Sequence, residues 1–382
     1  MAKSVLITGG AGFIGTNLCR AVLAKGHRVS VLDNFSPQIH HTSNELPSDI
    51  RSHVNLIKAD IRDKNAVRLA LNGIDTLIHL AAETGTGQSM YEIERYFSVN
   101  VQGTAVLLDI LQNDEAGKKL DTLIVASSRA IYGEGCYQCS DHGIVFPESR
   151  SLSRMSSGDF DLRCPLCNAI VRMTPTEESA PFQPLSIYGL TKQVQEQAVL
   201  MFARTRGMNG FALRYQNVYG PGQSLKNPYT GILSIFSNLA RQGQSIEIYE
   251  DGLESRDFIF VEDVAAATCR AVNHAGHFIG ALNIGSGESV TVNTIAHEIN
   301  NYFGGLSDVS ITGKFRIGDI RHNVASMTKA KSVLNFNPSV KFKEGLNQFL
   351  AWVEKQPLED RDAYQRSVVE LQEHGLMGNR KD

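Results

Sequence analysis

Ser128, Tyr188 and Lys192 make a set able to move a proton beside a reacting carbon–hydrogen bond. Tyr188-Gly189-Leu190-Thr191-Lys192 opens a helical stretch, and four-residue spacing puts phenol and ammonium on one helix face. A cation beside a phenol favours phenolate, which predicts a Tyr188 pKa below its usual value of roughly 10. Ser128 closes the apolar run Leu123-Ile124-Val125-Ala126, placed to hold a hydroxyl or ketone oxygen whose proton Tyr188 removes or returns. Ser127 is expected on the other side of that strand, away from the chemistry.

A second group of reactive side chains lies between Ser128 and Tyr188. Four of the six cysteines form two short pairs, Cys136-Tyr-Gln-Cys139 and Cys164-Pro-Leu-Cys167. Two-residue spacing lets both thiolates of a pair face one ion, and two pairs complete the tetrahedral shell that zinc prefers. Four thiolates leave no open position, so the expected zinc is structural. Disulfides or inert thiols are the alternative, which the absence of secretory character elsewhere disfavours. The polar stretch from Ser149 to Gly158 is expected to be an exposed loop between the pairs. The insertion's place suggests a rim of the substrate mouth or a subunit contact.

Alternating strands and helices must position these groups. Val5-Leu6-Ile7-Thr8 reads as a buried strand, followed by Gly9-Gly10-Ala11-Gly12-Phe13-Ile14-Gly15 and then a helix. In that context Gly9 makes a tight turn, Gly12 admits a pyrophosphate to the helix N-terminus, and Gly15 lets helix pack on strand. Phe13 and Ile14 are counted with this dinucleotide wall. The next strand ends at Asp33-Asn34, where a carboxylate can accept both ribose hydroxyls and would repel a 2′-phosphate; NAD is therefore favoured over NADP. Asp60 is read as a partner of the adenine amino group and Ile61 as a cover for the ring. Leu80-Ala81-Ala82 follow a fourth strand and are small enough for close approach of a cofactor. His79, inside that apolar strand, is read as structural. The pattern predicts a Rossmann-like, doubly wound α/β sheet with its ligand crevice at the strands' carboxyl ends.

Bulk composition restricts the partners. The 382 residues carry 37 Lys plus Arg against 40 Asp plus Glu, a formal charge of −3, with no basic stripe for nucleic acid or anionic membrane. Met1-Ala2-Lys3-Ser4 runs straight into the first strand, and no apolar run reaches spanning length. The expected compartment is the cytoplasm.

These motifs together resemble the extended short-chain dehydrogenase/reductase family, specifically its nucleotide-sugar epimerases and dehydratases. The resemblance runs from Val5 to about Trp352 and includes Tyr132-Gly133, Leu213 through Pro221, Arg256-Asp257-Phe258-Ile259, and Arg316 with Gly318-Asp319. It implies retained NAD, a nucleotide-activated sugar substrate and a transient keto sugar. By position it implies Tyr215 near the nicotinamide, Asn100 fixing cofactor and active-site backbone, Asn217 on substrate phosphate, and Arg256 and Arg316 on the pyrophosphate. It also implies a homodimer built on helices near 92–109 and 188–204. Dehydratases of the family carry an Asp-Glu pair after the strand-end hydroxyl; this chain has Arg129-Ala130, which points to simple hydride return and epimerisation. Glu83, Thr86 and Gln88, after the fourth strand, are candidates for sugar hydroxyls. The insertion and the Glu83 loop resemble proteins grouped as dTDP-L-rhamnose 4-epimerases. Arg129 reads either as a contact to an anionic sugar such as a uronate or as a cofactor-facing or structural support. A net nucleotide-sugar oxidoreductase is the competing enzyme class, and an NAD-binding regulatory protein the non-enzymatic one, which the complete Ser128, Tyr188, Lys192 set disfavours.

The expected organisation is an NAD-binding lobe over 1–215 carrying the four-cysteine insertion 134–173, a smaller, mainly substrate-binding α/β lobe over 216–356 with segments returning to the first, and a tail over 357–382. The tail has helical spacing at Tyr364, Val368 and Leu371 and is expected to fray after it.

Overall fold

The apolar runs become one parallel sheet in the computed structural model, which describes residues 2–40, 44–227, 231–358 and 363–380. Its strands are β1 (Ser4–Thr8), β2 (Arg28–Asp33), β3 (Val54–Lys58), β4 (Thr76–His79), β5 (Thr122–Ser128), β6 (Asn209–Tyr215) and β7 (Ile279–Ile284). Their spatial order is β7-β6-β5-β4-β1-β2-β3, and every neighbouring pair is parallel. Order reverses between β1 and β4, which opens a crevice at their carboxyl ends. Central strands such as Leu123-Ile124-Val125 are buried on both faces because helices cover both. β7 comes from far down the chain, so the first sheet is completed only after the chain has left it and returned.

The glycine turn has the geometry its spacing demands. Gly9 has φ +70°, and a Cβ there would lie 2.8 Å from the Ala81 nitrogen. A Cβ on Gly15 would lie 2.5 Å from the Gly9 carbonyl oxygen, so helix α1 (Phe13–Ala24) can sit on the turn only without a side chain at that point.

Helix α2 (Ile187–Arg206) begins at Ser186, whose hydroxyl accepts the Gly189 N–H at 3.1 Å, and ends at left-handed Gly207. Its first turn is also tied to the β4 loop, since the Tyr188 N–H donates to Ser89 Oγ at 3.0 Å. A second apolar core gathers Phe236, Ile248, Phe258, Phe260, Ile295 and Phe349.

The cysteine-bearing insertion is a small folded unit. Strands Gly143–Val145, Tyr137–Cys139 and Arg172–Met173 form an antiparallel sheet over a core of Tyr137, Val145, Leu162 and Val171. The stretch expected to be an exposed loop instead contains a helical turn, Leu152–Ser156, whose Met155 is buried against Phe160 and Phe315. The tail is likewise ordered beyond its helix α3 (Ala363–Glu373): Met377–Gly378 pair with Phe315–Arg316 as an antiparallel ribbon. Among the described residues no helix is long and apolar enough to cross a membrane.

Candidate active site and metal cluster

One cavity of about 650 Å3 runs from the glycine turn to the second core. At one end it is walled by Gly9, Gly12, Phe13, Ile14, Gly15, Asp33, Asn34, Ile61, Leu80, Ala81 and Ala82. Asp33 Oδ2 accepts the Ala11 N–H at 3.0 Å and Oδ1 the Phe35 N–H at 2.9 Å, which fixes the carboxylate at the strand end. Asp60 lies outside this wall. Its carboxylate is gripped by Arg62 through Nε and Nη2, both at 2.8 Å, and the pairing holds its pKa down to about 2. Its neighbour Ile61 faces the cavity while Asp60 is spent on Arg62 and Asn34.

Ser128, Tyr188 and Lys192 meet in the middle of the cavity. Ser128 Oγ accepts the Ala130 N–H at 3.1 Å. The expected lowering of the Tyr188 pKa is not what this geometry produces. Burial raises it, and the opposing influences are the Ser128 hydrogen bond and the Arg129 charge. Lys192 is itself so desolvated that its pKa falls to about 7, with Glu196 opposing the fall, and its Nζ donates to Gln195 Oε1 at 2.7 Å. Lys192 is not among the groups that oppose the rise at Tyr188. Ser127 turns away, as expected, and donates to Glu196 Oε2 at 2.5 Å. His79 is structural: Thr8 Oγ1 lies 2.7 Å from Nδ1, Thr104 Oγ1 3.0 Å from Nε2, and burial drives its pKa to about 3.

Asn100 sits in a π-helical turn, fully buried, and outside the cavity wall. Its amide clamps both backbone groups of Glu83, accepting from N–H at 2.7 Å and donating to the carbonyl at 3.1 Å, and donates to Thr191 at 2.9 Å. It therefore shapes the active-site backbone and does not touch the cavity. Glu83 and Thr86 line the cavity, and Glu83 pairs with Arg95 at 2.8 Å. Gln88 does not line it. Its side chain is buried among Gln38, Glu92 and Tyr96, which use its amide. Tyr215 lines the wall with its hydroxyl 2.7 Å from Thr268 Oγ1.

The far end of the cavity gathers guanidinium groups. Arg129 donates from Nε to Asn217 Oδ1 at 3.0 Å; burial and the Arg256 charge lower its pKa to about 10. Arg256 is held by the carbonyls of Ser255, Ile320 and Arg321. Arg316 pairs with Asp319 at 3.0 Å and lies over the Tyr249 ring. Three arginines converge here, while carboxylates of the wall are engaged: Asp319 by Arg316, Glu250 by Arg150 and Arg321, and Glu247 by Lys314; guanidinium groups so gathered suit a diphosphate. The sequence reading missed several wall residues: Phe236, Tyr249, Glu250, Glu254, Val292 and Tyr364. Tyr364 comes from the tail and places its hydroxyl 3.1 Å from that of Tyr249. Helical spacing was its only signal, and spacing does not say what a helix covers.

The metal quartet differs from the sequence expectation by one ligand. Cys139, His142, Cys164 and Cys167 offer four ligand atoms that all lie within 4.8 Å of one another. Cys136 is not among them. Tyr137–Cys139 is a strand, along which residues three apart point to opposite faces, and the backbone of Cys136 at its start is held by the Thr174 N–H and the Thr176 hydroxyl. The hairpin after Cys139 brings His142 back instead. A tetrahedral ion with bonds of about 2.3 Å to sulfur and 2.0–2.1 Å to nitrogen needs ligand–ligand edges of about 3.8 Å for S···S and 3.6 Å for S···N. Cys139 Sγ lies 3.7 Å from Cys167 Sγ and 3.7 Å from His142 Nδ1, and Cys164 Sγ lies 3.6 Å from the same nitrogen. The Asp141 backbone N–H and then His142 hold the Cys139 thiol down at about 6, ready to ligate. The signal was legible: Cys139-Ser-Asp-His142 has the same two-residue spacing as a cysteine pair.

A doubly wound sheet, a glycine turn facing a strand-end aspartate, and a Ser-Tyr-Lys set between that turn and an arginine-rich pocket define a dinucleotide-dependent enzyme. Residues 5–148 and 168–285 match the NAD dependent epimerase/dehydratase family, and the chain belongs to it. It is 35% identical over 353 residues to the dTDP-L-rhamnose 4-epimerase of Burkholderia thailandensis, covering 92% of this chain and 95% of that one. Among solved structures it is similar to the UDP-N-acetylglucosamine 4-epimerase of Methanobrevibacter ruminantium bound to UDP-N-acetylmuramic acid (27% identity, TM-score 0.74, 93% of this chain and 99% of that one). It is also similar to MoeE5 in complex with UDP-glucuronic acid and NAD (28% identity, TM-score 0.70, 92% and 99%). The gap in the family match, 149–167, falls within the insertion.

Proposed function

We propose that the protein is a nucleotide-sugar 4-epimerase that retains NAD and acts on dTDP-L-rhamnose or a related dTDP- or UDP-sugar. The single observation carrying this reading is the shared cavity: Ser128, Tyr188 and Lys192 stand between a wall shaped for a dinucleotide and a pocket of three arginines. The Burkholderia relative supports the choice of sugar. NAD, when bound, supplies the acceptor for the C4 hydride and gives it back.

The chain's own residues do the rest. Ser128 holds the C4 oxygen, and Tyr188 takes its proton as the ketone forms and returns it as the alcohol re-forms. Lys192 is positioned for the nicotinamide ribose, and Asp33 for the adenine ribose. Arg256 and Arg316 hold the diphosphate, so the sugar can rotate about its link to that anchor and present the other face. No carboxylate follows Ser128, and Arg129 is engaged with Asn217, so the segment after the strand-end hydroxyl offers no acid–base pair to expel water from the sugar. One observation favours a second substrate: the Arg129 guanidinium lines the cavity one residue from Ser128, which suits a UDP-uronate. Offering purified protein UDP-, dTDP-, GDP- and CDP-sugars, uronates included, and identifying products by NMR tests both. An epimer formed without added NAD supports the proposal; a keto sugar formed in proportion to added NAD refutes it in favour of net oxidation.

The quartet's donor set and edges fit zinc as a structural ion, with no step of the reaction assigned to it. We also propose a homodimer through α2 and the helices spanning 93–113. Met201 is 64% exposed, and Ile93, Phe97 and Leu190 are exposed on the same elements. Light scattering at micromolar protein checks it, and a monomer refutes it.

A further inference from the structure

Arg150, in the cysteine-bearing insertion, reaches the back of the substrate pocket's wall. Arg150 is 1% exposed, although it belongs to the stretch whose composition reads as a polar loop. Its Nη1 donates to Glu250 Oε2 at 2.6 Å, its Nη2 donates to the Asp319 carbonyl at 2.8 Å, and its Nε faces Glu134 Oε1 at 3.4 Å. Both far partners belong to the cavity wall. Asp319 carries the carboxylate that pairs with Arg316, and Glu250 follows Tyr249, over which Arg316 lies. Glu250 has φ +50°, a backbone state that glutamate seldom adopts and that needs outside support. Arg321 completes the join: its N–H donates to Glu134 at 2.7 Å and its Nη1 to Glu250 at 3.1 Å.

An apolar seam would join two lobes at less desolvation cost than this buried set of charges. What a guanidinium fork adds is a fixed geometry between the groups it bonds. We propose that Arg150 is a positioning residue for the diphosphate end of the substrate pocket. It holds Glu250 and the Asp319 backbone, and through them Tyr249 and Arg316, so that substrate affinity depends on the fold of the insertion and hence on its Cys3His quartet. The link to the quartet runs through a short stretch of backbone: Arg150 Nη1 lies 3.5 Å from the carbonyl of Phe160, two residues before Leu162, which shares a core with Cys139 and Cys164. This inference rests on the nucleotide-sugar reading of the cavity.

The test is calorimetric titration of the purified NAD-loaded protein with UDP and with dTDP. Arg150→Met is expected to weaken nucleoside diphosphate binding roughly tenfold, in the range of coupling between contacting residues, while metal content and NAD occupancy stay at wild-type values. Arg150→Lys keeps the charge near Glu250 but cannot bond both partners, and should fall between the two. Stripping the metal with a chelator should weaken binding by wild type and add little in Arg150→Met, because both act along one path. Glu250→Gln removes the charge that Arg150 pairs with, weakening the same contact from the other side, and carries the test if Arg150→Met does not fold. Wild-type protein that binds neither diphosphate overturns the functional reading and this inference with it. Tight wild-type binding with unchanged affinity in Arg150→Met or Glu250→Gln overturns this inference alone, as does metal loss that adds in full to the variant.

Discussion

Replacing His142 with Ala and, separately, Cys136 with Ser should have opposite consequences for the metal. His142 Nδ1 lies within 3.7 Å of two cysteine sulfurs, and Cys136 contributes no atom to the quartet. Structural zinc sites are worth roughly 10–16 kcal/mol at neutral pH. Spread over four ligands, loss of one costs about 3 kcal/mol, or on the order of 10²-fold in metal affinity. His142→Ala should therefore lose its ion to a chelator that wild type withstands. Cys136→Ser leaves all four donors in place, so its affinity should match wild type, with a cost limited to about 1 kcal/mol of stability for a buried hydroxyl. Competition against a chromophoric chelator, with elemental analysis of the dialysed protein, measures both. Retention of metal by His142→Ala together with its loss from Cys136→Ser would refute the assignment and restore the four-cysteine arrangement.

Tyr188→Phe keeps the ring and removes the proton carrier, so turnover should fall by roughly 10²-fold or more with NAD still bound; single-turnover kinetics on the stripped and reloaded protein check it, and near-normal turnover rejects Tyr188 as acid–base group. NAD should bind more tightly than NADP, because a 2′-phosphate would meet the Asp33 carboxylate at the strand end; titration of stripped protein with both dinucleotides decides, and equal affinities remove that role. His79 has its pKa lowered to about 3 by burial, against about 6.5 when exposed. The unfolded chain then binds the extra proton between those values, so stability is full above about pH 6.5 and is lost as pH falls toward 3. At pH 5 the loss amounts to about 2 kcal/mol, and His79→Gln should flatten this part of the stability–pH curve in urea titrations; an unchanged slope excludes His79 as its source.

The wall proposed for the dinucleotide was legible in the sequence because its parts are local. Gly9, Gly15 and Asp33 owe their places to one turn and one strand end, where backbone sterics and a carboxylate act on near neighbours. Ser128, Tyr188 and Lys192 were legible too, since strand period and helix spacing fix which face each occupies. Their protonation was not, because burial outweighs the charge that spacing alone brings to mind. Asp60 and Gln88 have the right type at the right place, yet Arg62 and Gln38 claim their polar atoms. The choice of His142 over Cys136 turned on whether three residues form a strand, and pairing with Gly143–Val145 and Arg172–Met173 decides that. Tyr364, Glu250 and Arg150 come from three segments widely separated in sequence. Composition and periodicity describe each segment by itself. Their convergence on one pocket wall depends on how segments with polar, half-helical or irregular sequence pack against one another, and only the tertiary structure settles that.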